Sequence, residues 1–436
     1  MFELTIERLA YGGDAIGHLE DGRVAFISGG CPGDRVAAEV VEEKDRFVRV
    51  RIAEVLEASA DRVTAPCPYF GACGGCTWQH VAYAAQLEAK RQSVVDALLR
   101  IGGFPDSERL VNASVPSPAE YGYRNKIELV ANPASTRPRL GFHRAGSEEV
   151  VEIDECLLLP KRARKAPKAL GGALRYLAGE TDLGLSRVGI RCAAHTKDLE
   201  VALWTVPGPF QRGAAAKMLS QALPLSSLVR VLSRGPLKRR AIAGVEVLSG
   251  KGFWRERLAG IPYSISAPSF FQVNSTVAEE LVKVVLGILE PDGSDRVLDL
   301  YAGAGTFTLP LAQVGGEVVA VESAGSSIRD LRRNLEQNGL WAEVIGGDAA
   351  REIASLGHFD IVVVDPPRSG LAPEVVSALG GCKPRALAYV SCDPATLARD
   401  ARALAEAGLE LASATPIDLF PQTYHVETVA HFIPSA

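Results

Sequence analysis

Three stretches near the C-terminus decide the fold: RVLDLYAGAGTFTL at 296–309, FDIVVVDPPRSG at 359–370 and ALAYVSCDPATLARD at 386–400. Each begins with a short apolar run, typical of a buried strand, and continues into a turn rich in glycine or proline. EVVAVES at 317–323 and AEVIGGD at 342–348 are further strands of this kind, with helical patterns between them. Buried strands that alternate with helices predict a parallel, doubly wound α/β sheet.

The turn after the first strand has the features of a nucleoside cofactor site. Asp299 ends the strand, and Gly303 and Gly305 let the backbone approach a ligand there. Glu322 ends the next strand, where an acid can bind ribose hydroxyls, and Asp348 follows the third strand. The turn lacks the Gly-Lys-Ser/Thr ending of ATP-binding loops and departs from the G-x-G-x-x-G spacing of NAD sites. S-adenosylmethionine is therefore the favoured cofactor, with NAD as second choice.

A cysteine follows the strand in the third of the opening stretches. Cys392 is followed by Asp393, a natural helix N-cap, and by Pro394, which suits the first helical position. We expect the helix dipole to favour the Cys392 thiolate, although a buried structural cysteine is the alternative on position alone. Asp365 lies at the predicted end of the fourth strand and Glu427 at the predicted start of the last strand, and a nucleophile and two carboxylates are expected at one edge of the sheet.

Methylation at carbon 5 of a pyrimidine needs such a set of groups. That carbon is a poor nucleophile in the free base, but attack by a thiolate at carbon 6 makes it reactive. A base must then remove the proton from carbon 5 so that the cysteine can leave. The residues thus indicate a methyl transfer that proceeds through a covalent intermediate.

The rest of the chain divides into regions of different pattern. Residues 1–57 alternate apolar and polar positions over several short runs, which predicts a small barrel of the OB type. Residues 81–101 have apolar residues at helical spacing and end at a Gly-Gly pair. Residues 104–285 alternate short strand-like runs with loops, which indicates a mixed α+β region.

Charge is distributed unevenly in a chain of net charge -5. Residues 66–290 carry 29 Lys and Arg against 20 Asp and Glu, whereas the regions on either side are acidic. Local clusters at 161–168 (KRARKAPK) and 237–240 (LKRR) favour phosphate binding over the alternative of a solvated surface. Neither a membrane span nor a secretory signal is recognisable, so a cytoplasmic location is expected.

The motifs together resemble the RNA uracil-5-methyltransferase family. The resemblance covers 270–436 and is carried by FFQVN, DLYAGAGTFTL, DPPRSG, SCDPATLARD and HVETV, with one departure at Ala302, where the family often has cysteine. It implies a Rossmann-like methyltransferase domain that binds S-adenosylmethionine and acts on RNA. The implied catalytic residues are Cys392 as nucleophile, Glu427 as base and Asp365 at the uracil edge. The implied cofactor-binding residues are Gln272, Asp299, Tyr301, Gly303, Gly305, Glu322, Asp348 and Asp365.

Three cysteines are packed into ten residues, in a chain for which a disulfide framework is not expected. Cys67, Cys73 and Cys76 are spaced C-x5-C-x2-C, and Cys156 follows later. Four thiolates suit iron–sulfur or zinc. The set resembles the branch of the family in which four such cysteines hold a [4Fe–4S] cluster, with zinc as the alternative.

The resemblance also divides the chain into domains. Residues 1–57 resemble the TRAM module, an OB-like RNA-binding barrel. The expected domains are therefore a TRAM barrel at 1–57, a central α+β iron–sulfur domain at 58–265, and the methyltransferase domain at 266–436. The helix at 81–101 is expected to pack on the methyltransferase domain, as it does in the family.

A TRAM module combined with four cluster cysteines resembles the enzymes that form 5-methyluridine in 23S ribosomal RNA, and transfer RNA is the alternative substrate. Two other functions fit the sequence less well. A methyltransferase acting on an exocyclic amine would not need Cys392 or Glu427, and a non-enzymatic RNA-binding protein would not retain the catalytic residues. A monomeric enzyme is expected.

Overall fold

The computed structural model describes residues 1–131, 138–179, 182–234 and 241–435. Within these ranges the strands form three large sheets and one two-stranded ribbon. No helix in this part of the chain is both long and apolar enough to cross a bilayer.

The N-terminal sheet has six strands: β1 (Phe2–Thr5), β2 (Arg8–Leu9), β3 (Ala15–His18), β4 (Val24–Ser28), β5 (Arg35–Glu43) and β6 (Phe47–Glu57). Their order is β1-β5-β6-β4-β3-β2, and β4 and β6 are parallel. Inward-facing residues from these strands share one core with Trp78 and Val81. The β-structure predicted for residues 1–57 is confirmed.

A helical segment follows the N-terminal sheet. The predicted helix is α1 (Tyr83–Ala97), which continues into a π-helical turn (Leu98–Gly102) before the short α2 (Ser107–Leu110). Gly103 ends the turn in the left-handed conformation (φ 77°), which glycine adopts without strain.

The central region contains a seven-stranded sheet of order β13-β12-β11-β10-β7-β8-β9 and a separate ribbon formed by β14 and β15. The helices α3 and α4 contribute to a core on one face of the sheet. The elements are β7 (Lys126–Ala131), β8 (Leu140–His143), β9 (Val150–Glu152), α3 (Ala166–Ala178), β10 (Leu185–Cys192), β11 (Leu199–Thr205), α4 (Arg212–Ala222), β12 (Ser227–Arg234), β13 (Ala241–Gly250), β14 (Trp254–Leu258) and β15 (Ile261–Ile265).

The C-terminal region contains a second seven-stranded sheet, of order β18-β17-β16-β19-β20-β22-β21, with a separate core on each face. Its elements are α5 (Ser275–Leu289), β16 (Arg296–Leu300), α6 (Thr308–Val314), β17 (Glu317–Glu322), α7 (Gly325–Gln337), β18 (Glu343–Gly346), α8 (Ala349–Glu352), β19 (Ile361–Val364), α9 (Pro373–Cys382), β20 (Ala386–Ser391), α10 (Pro394–Glu406), β21 (Leu409–Ile417) and β22 (Glu427–Pro434).

The parallel arrangement predicted for this sheet is correct for β16 to β20 and wrong for the last strand, β22. β22 lies between β20 and β21 and runs antiparallel to both. The connection between β21 and β22, residues 418–426, contains no helix. Because a parallel pair needs a long crossover, usually helical, this shorter connection returns the chain antiparallel.

A buried ion pair joins α1 to the connection before β22. The Lys90 ammonium lies 2.5 Å from Asp418 Oδ1, and both side chains are fully buried. The Tyr83 hydroxyl donates to Asp418 Oδ2 at 2.7 Å. Burial lowers the pKa of Lys90, and the negative charge of Asp418 opposes that effect. The helix is thereby fixed to the segment that leads to Glu427.

Replacing Lys90 with methionine should lower the free energy of unfolding by about 3–5 kcal/mol, since it leaves the Asp418 carboxylate buried without its cation. The measurement is urea unfolding of the full chain. The matched control is Lys283→Met, because Lys283 forms an exposed pair with Glu280 at 2.7 Å and its loss should cost about 1 kcal/mol or less. Equal losses in the two variants would contradict a stabilising role for the buried pair.

Candidate active site

The turn after β16 is shaped by left-handed backbone. Tyr301, Gly303 and Gly305 have φ of 65°, 58° and 99°. A Cβ at Gly305 would collide with Leu309 and Leu331, whereas one at Gly303 would meet open space. Gly305 is favoured by its left-handed backbone as well as by crowding, and the backbone at Gly303 is open to a ligand.

Asp299 lies buried beneath this turn. Its Oδ2 accepts a hydrogen bond from the Thr308 hydroxyl at 2.5 Å, while Oδ1 is buried and has no partner among the described residues. Burial raises the pKa of Asp299 to about 7, and the charges of Asp365 and Glu322 act in the same direction. An acceptor that is buried without a donor is costly, so this oxygen is a point of strain in the turn's surroundings.

Glu322, at the end of β17, holds the turn in place. Its Oε2 accepts from the Gly303 amide at 2.8 Å, and its Oε1 accepts from the Ala324 amide at 2.6 Å. Asp348 follows β18 and caps α8 by accepting from the Ala350 amide at 3.1 Å. The structure therefore brings Asp299, Gly303 and Glu322 together, and places Asp348 at the next strand end.

The predicted catalytic residues meet at the same edge of the sheet. Cys392 follows β20, Asp365 follows β19, and Glu427 is the first residue of β22. Gln272 approaches from the segment before α5, with its side-chain amide 3.4 Å from Asp365 Oδ2. Asp393 caps α10 by accepting from the Thr396 amide at 2.9 Å, as predicted.

Electrostatics at this edge differ from the expectation for Cys392. Burial raises the pKa of the Cys392 thiol to about 11, and the negative charge of Glu427 adds to the effect. Burial and the Glu427 carboxylate thus act against the stabilisation of the thiolate that the start of α10 is expected to provide. Arg368 is the cation that lowers the pKa of Cys392, and it also lowers that of Glu427.

The two carboxyl groups influence each other. Burial raises the pKa of Glu427 well above its ordinary value, and the charge of Asp365 acts in the same direction. Burial and the charge of Glu322 raise the pKa of Asp365 to about 7. Each carboxyl group is consequently a stronger base when ionised than an exposed one.

Two residues near the edge were not assigned from the sequence. Arg368 lies within the DPPRSG motif, so its position in the sequence could have identified it. Tyr11 could not be found from the sequence, because it lies in the turn between β2 and β3, far along the chain from the site. Its hydroxyl donates to Asp393 Oδ2 at 3.2 Å. Its ring also packs edge-on against Tyr424, with centroids 5.3 Å apart. The N-terminal sheet thus contacts the residue next to Cys392.

The two adjacent phenylalanines of FFQVN have different environments. Phe271 is buried among Trp254 and Tyr263, so it belongs to the core. Phe270 is 61% exposed. Of the two, only Phe270 is available to stack on a base.

The four predicted ligand cysteines lie in one neighbourhood without forming a metal site. Burial raises the pKa of Cys76 to about 12, and the charges of Cys67, Cys73 and Cys156 contribute, which shows that the sulfurs are near one another. In the described ranges, however, no group of three or more His, Cys, Asp or Glu side chains is arranged to hold a metal ion. A chelating geometry is therefore not shown, although the donor chemistry of the four thiols fits one.

The basic cluster at 161–168 is partly neutralised. Lys168 pairs with Asp154 at 3.1 Å and Arg164 lies 3.9 Å from Glu155. Lys161 and Lys165 form no ion pair within the described ranges. The second predicted cluster, including Lys238, Arg239 and Arg240, lies outside the described residues.

Family models match two parts of the chain. Residues 256–355 and 353–433 match the tRNA (uracil-5-)-methyltransferase model, and residues 1–61 match the TRAM domain. An uncharacterized RNA methyltransferase of Thermosynechococcus vestitus is 35% identical, covering 98% of this chain and 97% of its own. Another from Gloeobacter violaceus is 36% identical, covering 98% and 95%.

The chain belongs to the RNA uracil-5-methyltransferase family. A solved structure, that of the tRNA (uracil-54, C5)-methyltransferase of Pyrococcus abyssi in complex with S-adenosyl-L-homocysteine, is similar with a TM-score of 0.77, at 30% identity and 99% coverage of both chains. The prediction of an S-adenosylmethionine-dependent RNA methyltransferase with an N-terminal TRAM domain is confirmed.

Substituting Glu322 with alanine should weaken the binding of S-adenosylhomocysteine about 10- to 100-fold, because a charged acceptor at the strand end is lost together with its support of Gly303. Isothermal calorimetry measures this affinity. Glu317→Ala is the matched control, since Glu317 lies on the same strand, half exposed, and pairs with Arg296. If both variants bind the ligand as the natural protein does, Glu322 is not part of the cofactor site.

Proposed function

We propose that this methyltransferase transfers a methyl group from S-adenosylmethionine to carbon 5 of a uridine in RNA, through a covalent bond between Cys392 and the base. The observation that carries the proposal is the convergence of Cys392, Asp365 and Glu427 at one sheet edge, beside the Asp299 turn. A thiol and a buried carboxyl base are both needed for this chemistry and neither is needed to methylate an amine.

The proposed cofactor site is centred on the turn after β16. Asp299 Oδ1 is an unpaired buried acceptor, the backbone at Gly303 faces open space, and Glu322 ends the neighbouring strand. Together with Tyr301, Asp348 and Gln272, they would hold S-adenosylmethionine. When bound, the cofactor supplies an electrophilic methyl group to the site.

The covalent route assigns a step to each protein group. The Cys392 thiol gives its proton to solvent, a loss that the positive charge of Arg368 favours, and its sulfur forms a bond to carbon 6 of the uracil. The electrons of the 5,6 double bond move toward oxygen 4, and carbon 5 becomes the nucleophile that accepts the methyl group. The Glu427 carboxylate then takes the proton from carbon 5, the double bond reforms, and the sulfur leaves. The raised pKa of Glu427 makes its carboxylate a stronger base for this step.

Target recognition is proposed to require a uridine that is turned out of the RNA. Phe270, exposed and two residues before Gln272 in the chain, would stack on the base, and Asp365 would contact its polar edge. Turning a base out costs a few kcal/mol, which stacking and phosphate contacts offset.

Ribosomal RNA is the proposed substrate, on the combination of a TRAM domain with four grouped cysteines. Transfer RNA is the second candidate, and the similarity to a structure named for tRNA uracil-54 favours it. That similarity extends over 99% of this chain and so includes the TRAM region. A TRAM domain therefore gives little reason to prefer ribosomal RNA over transfer RNA. Incubation with 23S ribosomal RNA fragments and with transfer RNA, followed by mapping of 5-methyluridine, distinguishes the two.

RNA that carries 5-fluorouridine at the target should be methylated once and then remain attached to the protein. Glu427 cannot remove fluorine as it removes a proton, so elimination stalls and the complex survives a denaturing gel. Cys392→Ala should abolish the complex. Glu427→Gln should form the adduct with ordinary RNA and release it about 10²–10⁴ times more slowly, the usual contribution of a general base.

The matched control for this experiment is Cys382→Ala. Cys382 ends α9 and its sulfur contacts Phe359 and His358, away from the catalytic edge. This variant should trap fluorinated RNA as the natural protein does. Methylation of fluorinated RNA by the natural protein without any trapped complex would rule out the covalent route.

We also propose that Cys67, Cys73, Cys76 and Cys156 hold a [4Fe–4S] cluster. Protein purified without oxygen should be brown and absorb at about 400 nm, as thiolate-bound clusters do. Cys76→Ser should lower the iron content, whereas Cys382→Ser should leave it unchanged. One zinc ion per chain and no iron would show that the thiols bind zinc instead.

A further inference from the structure

A cavity of about 420 Å³ lies outside the catalytic edge, between the central region and the start of α5. Its walls come from residues 117–119, 122–123, 160–162 and 193–194 and from Asn274 and Thr276. Cys392, Asp365 and Glu427 do not line it. Its volume is within the range of about 300–1,000 Å³ that is typical of sites for small ligands.

The charge of the cavity is opposite to that of the protein. Lys161 and Arg162 line it, and no Asp or Glu does so in the described part of the chain. The Arg162 guanidinium donates to the carbonyl oxygens of Ala193, Thr196 and Lys197 at 2.5, 2.9 and 2.8 Å. Carbonyl oxygens fix its position without cancelling its charge. Two cations that no carboxylate in the lining neutralises indicate an anionic ligand.

The cavity lies close along the chain to Gln272 at the catalytic edge. Asn274, in the cavity wall, is two residues from Gln272, and its side-chain amide lies 3.3 Å from Ser117 Oγ. Asn125 donates to the Gln272 carbonyl oxygen at 2.8 Å, which fixes the same segment. The chain from Gln272 to Thr276 spans at most about 14 Å, so a ligand here lies within a few nucleotides of a uridine held at the catalytic edge.

The geometry points to a subsite for a phosphate-bearing nucleotide of the substrate RNA, with Lys161 and Arg162 contacting the phosphate. This inference rests on the proposed function, because it takes the substrate strand to enter at the catalytic edge. The cavity would hold a nucleotide near the target and so fix the position of the strand relative to Phe270 and Cys392. A free nucleotide has the same phosphate chemistry and is separated from RNA by the experiment.

The experiment measures affinity for a target RNA fragment at several salt concentrations, with the full-length protein. Lys161→Ala should weaken binding about tenfold and make the log–log salt slope shallower by about 0.7–0.9, the loss of one phosphate contact. Lys165→Ala is the matched control, because Lys165 is exposed, lies in the same cluster and does not line the cavity. It should change neither quantity. Ala119→Trp, which fills the cavity without changing charge, should also weaken binding.

The RNA subsite is overturned if Lys161→Ala keeps the affinity and salt slope of the natural protein, or if Lys165→Ala loses as much. It is also overturned if uridine monophosphate alone binds with an affinity that depends on Lys161 while RNA binding does not. Trapping on fluorinated RNA reports the proposed function separately. Trapping that persists while Lys161→Ala binds RNA normally would refute the subsite alone.

Discussion

Crowded negative charge at the carboxyl edge of the C-terminal sheet is the constraint on which the site depends. Asp299 and Glu427 are buried, and Asp365 is half-buried beside them. Such groups are costly unless they are protonated or receive hydrogen bonds. The Thr308 hydroxyl donates to Asp299, and Arg368 supplies a positive charge near Glu427. The burial that makes it costly to ionise these carboxyl groups also makes their carboxylates strong bases.

The position of Glu427 depends on contacts far from it in sequence. The connection before β22 is held by the Lys90–Asp418 pair, and Gln86 accepts from the Gln422 amide at 3.0 Å. Gln422 has a left-handed backbone (φ 70°), an uncommon conformation for a residue other than glycine. Hydrogen bonds from its neighbours stabilise that conformation, so α1 acts as a support for the catalytic edge rather than as a linker.

Local patterns in the sequence predicted what depends on local interactions. The strands of the C-terminal sheet, the helix that became α1 and the Asp393 cap of α10 all follow from periodicity or from neighbouring residue types. The pKa of Cys392 could not be predicted this way, because it depends on burial and on Glu427 from another strand. For the same reason the Tyr11 contact, the reversal of β22 and the distinction between Phe270 and Phe271 required the folded chain.

The strand order has a consequence for how the protein is made. Glu427 begins the last strand, and that strand must insert between β20 and β21, which were synthesised before it. The N-terminal sheet, which reaches Asp393 through Tyr11, is complete long before. Domains fold in order of synthesis, so the TRAM sheet can be folded while the C-terminal sheet still lacks its sixth position. The reaction centre therefore closes only after β22 has been synthesised and has inserted between β20 and β21.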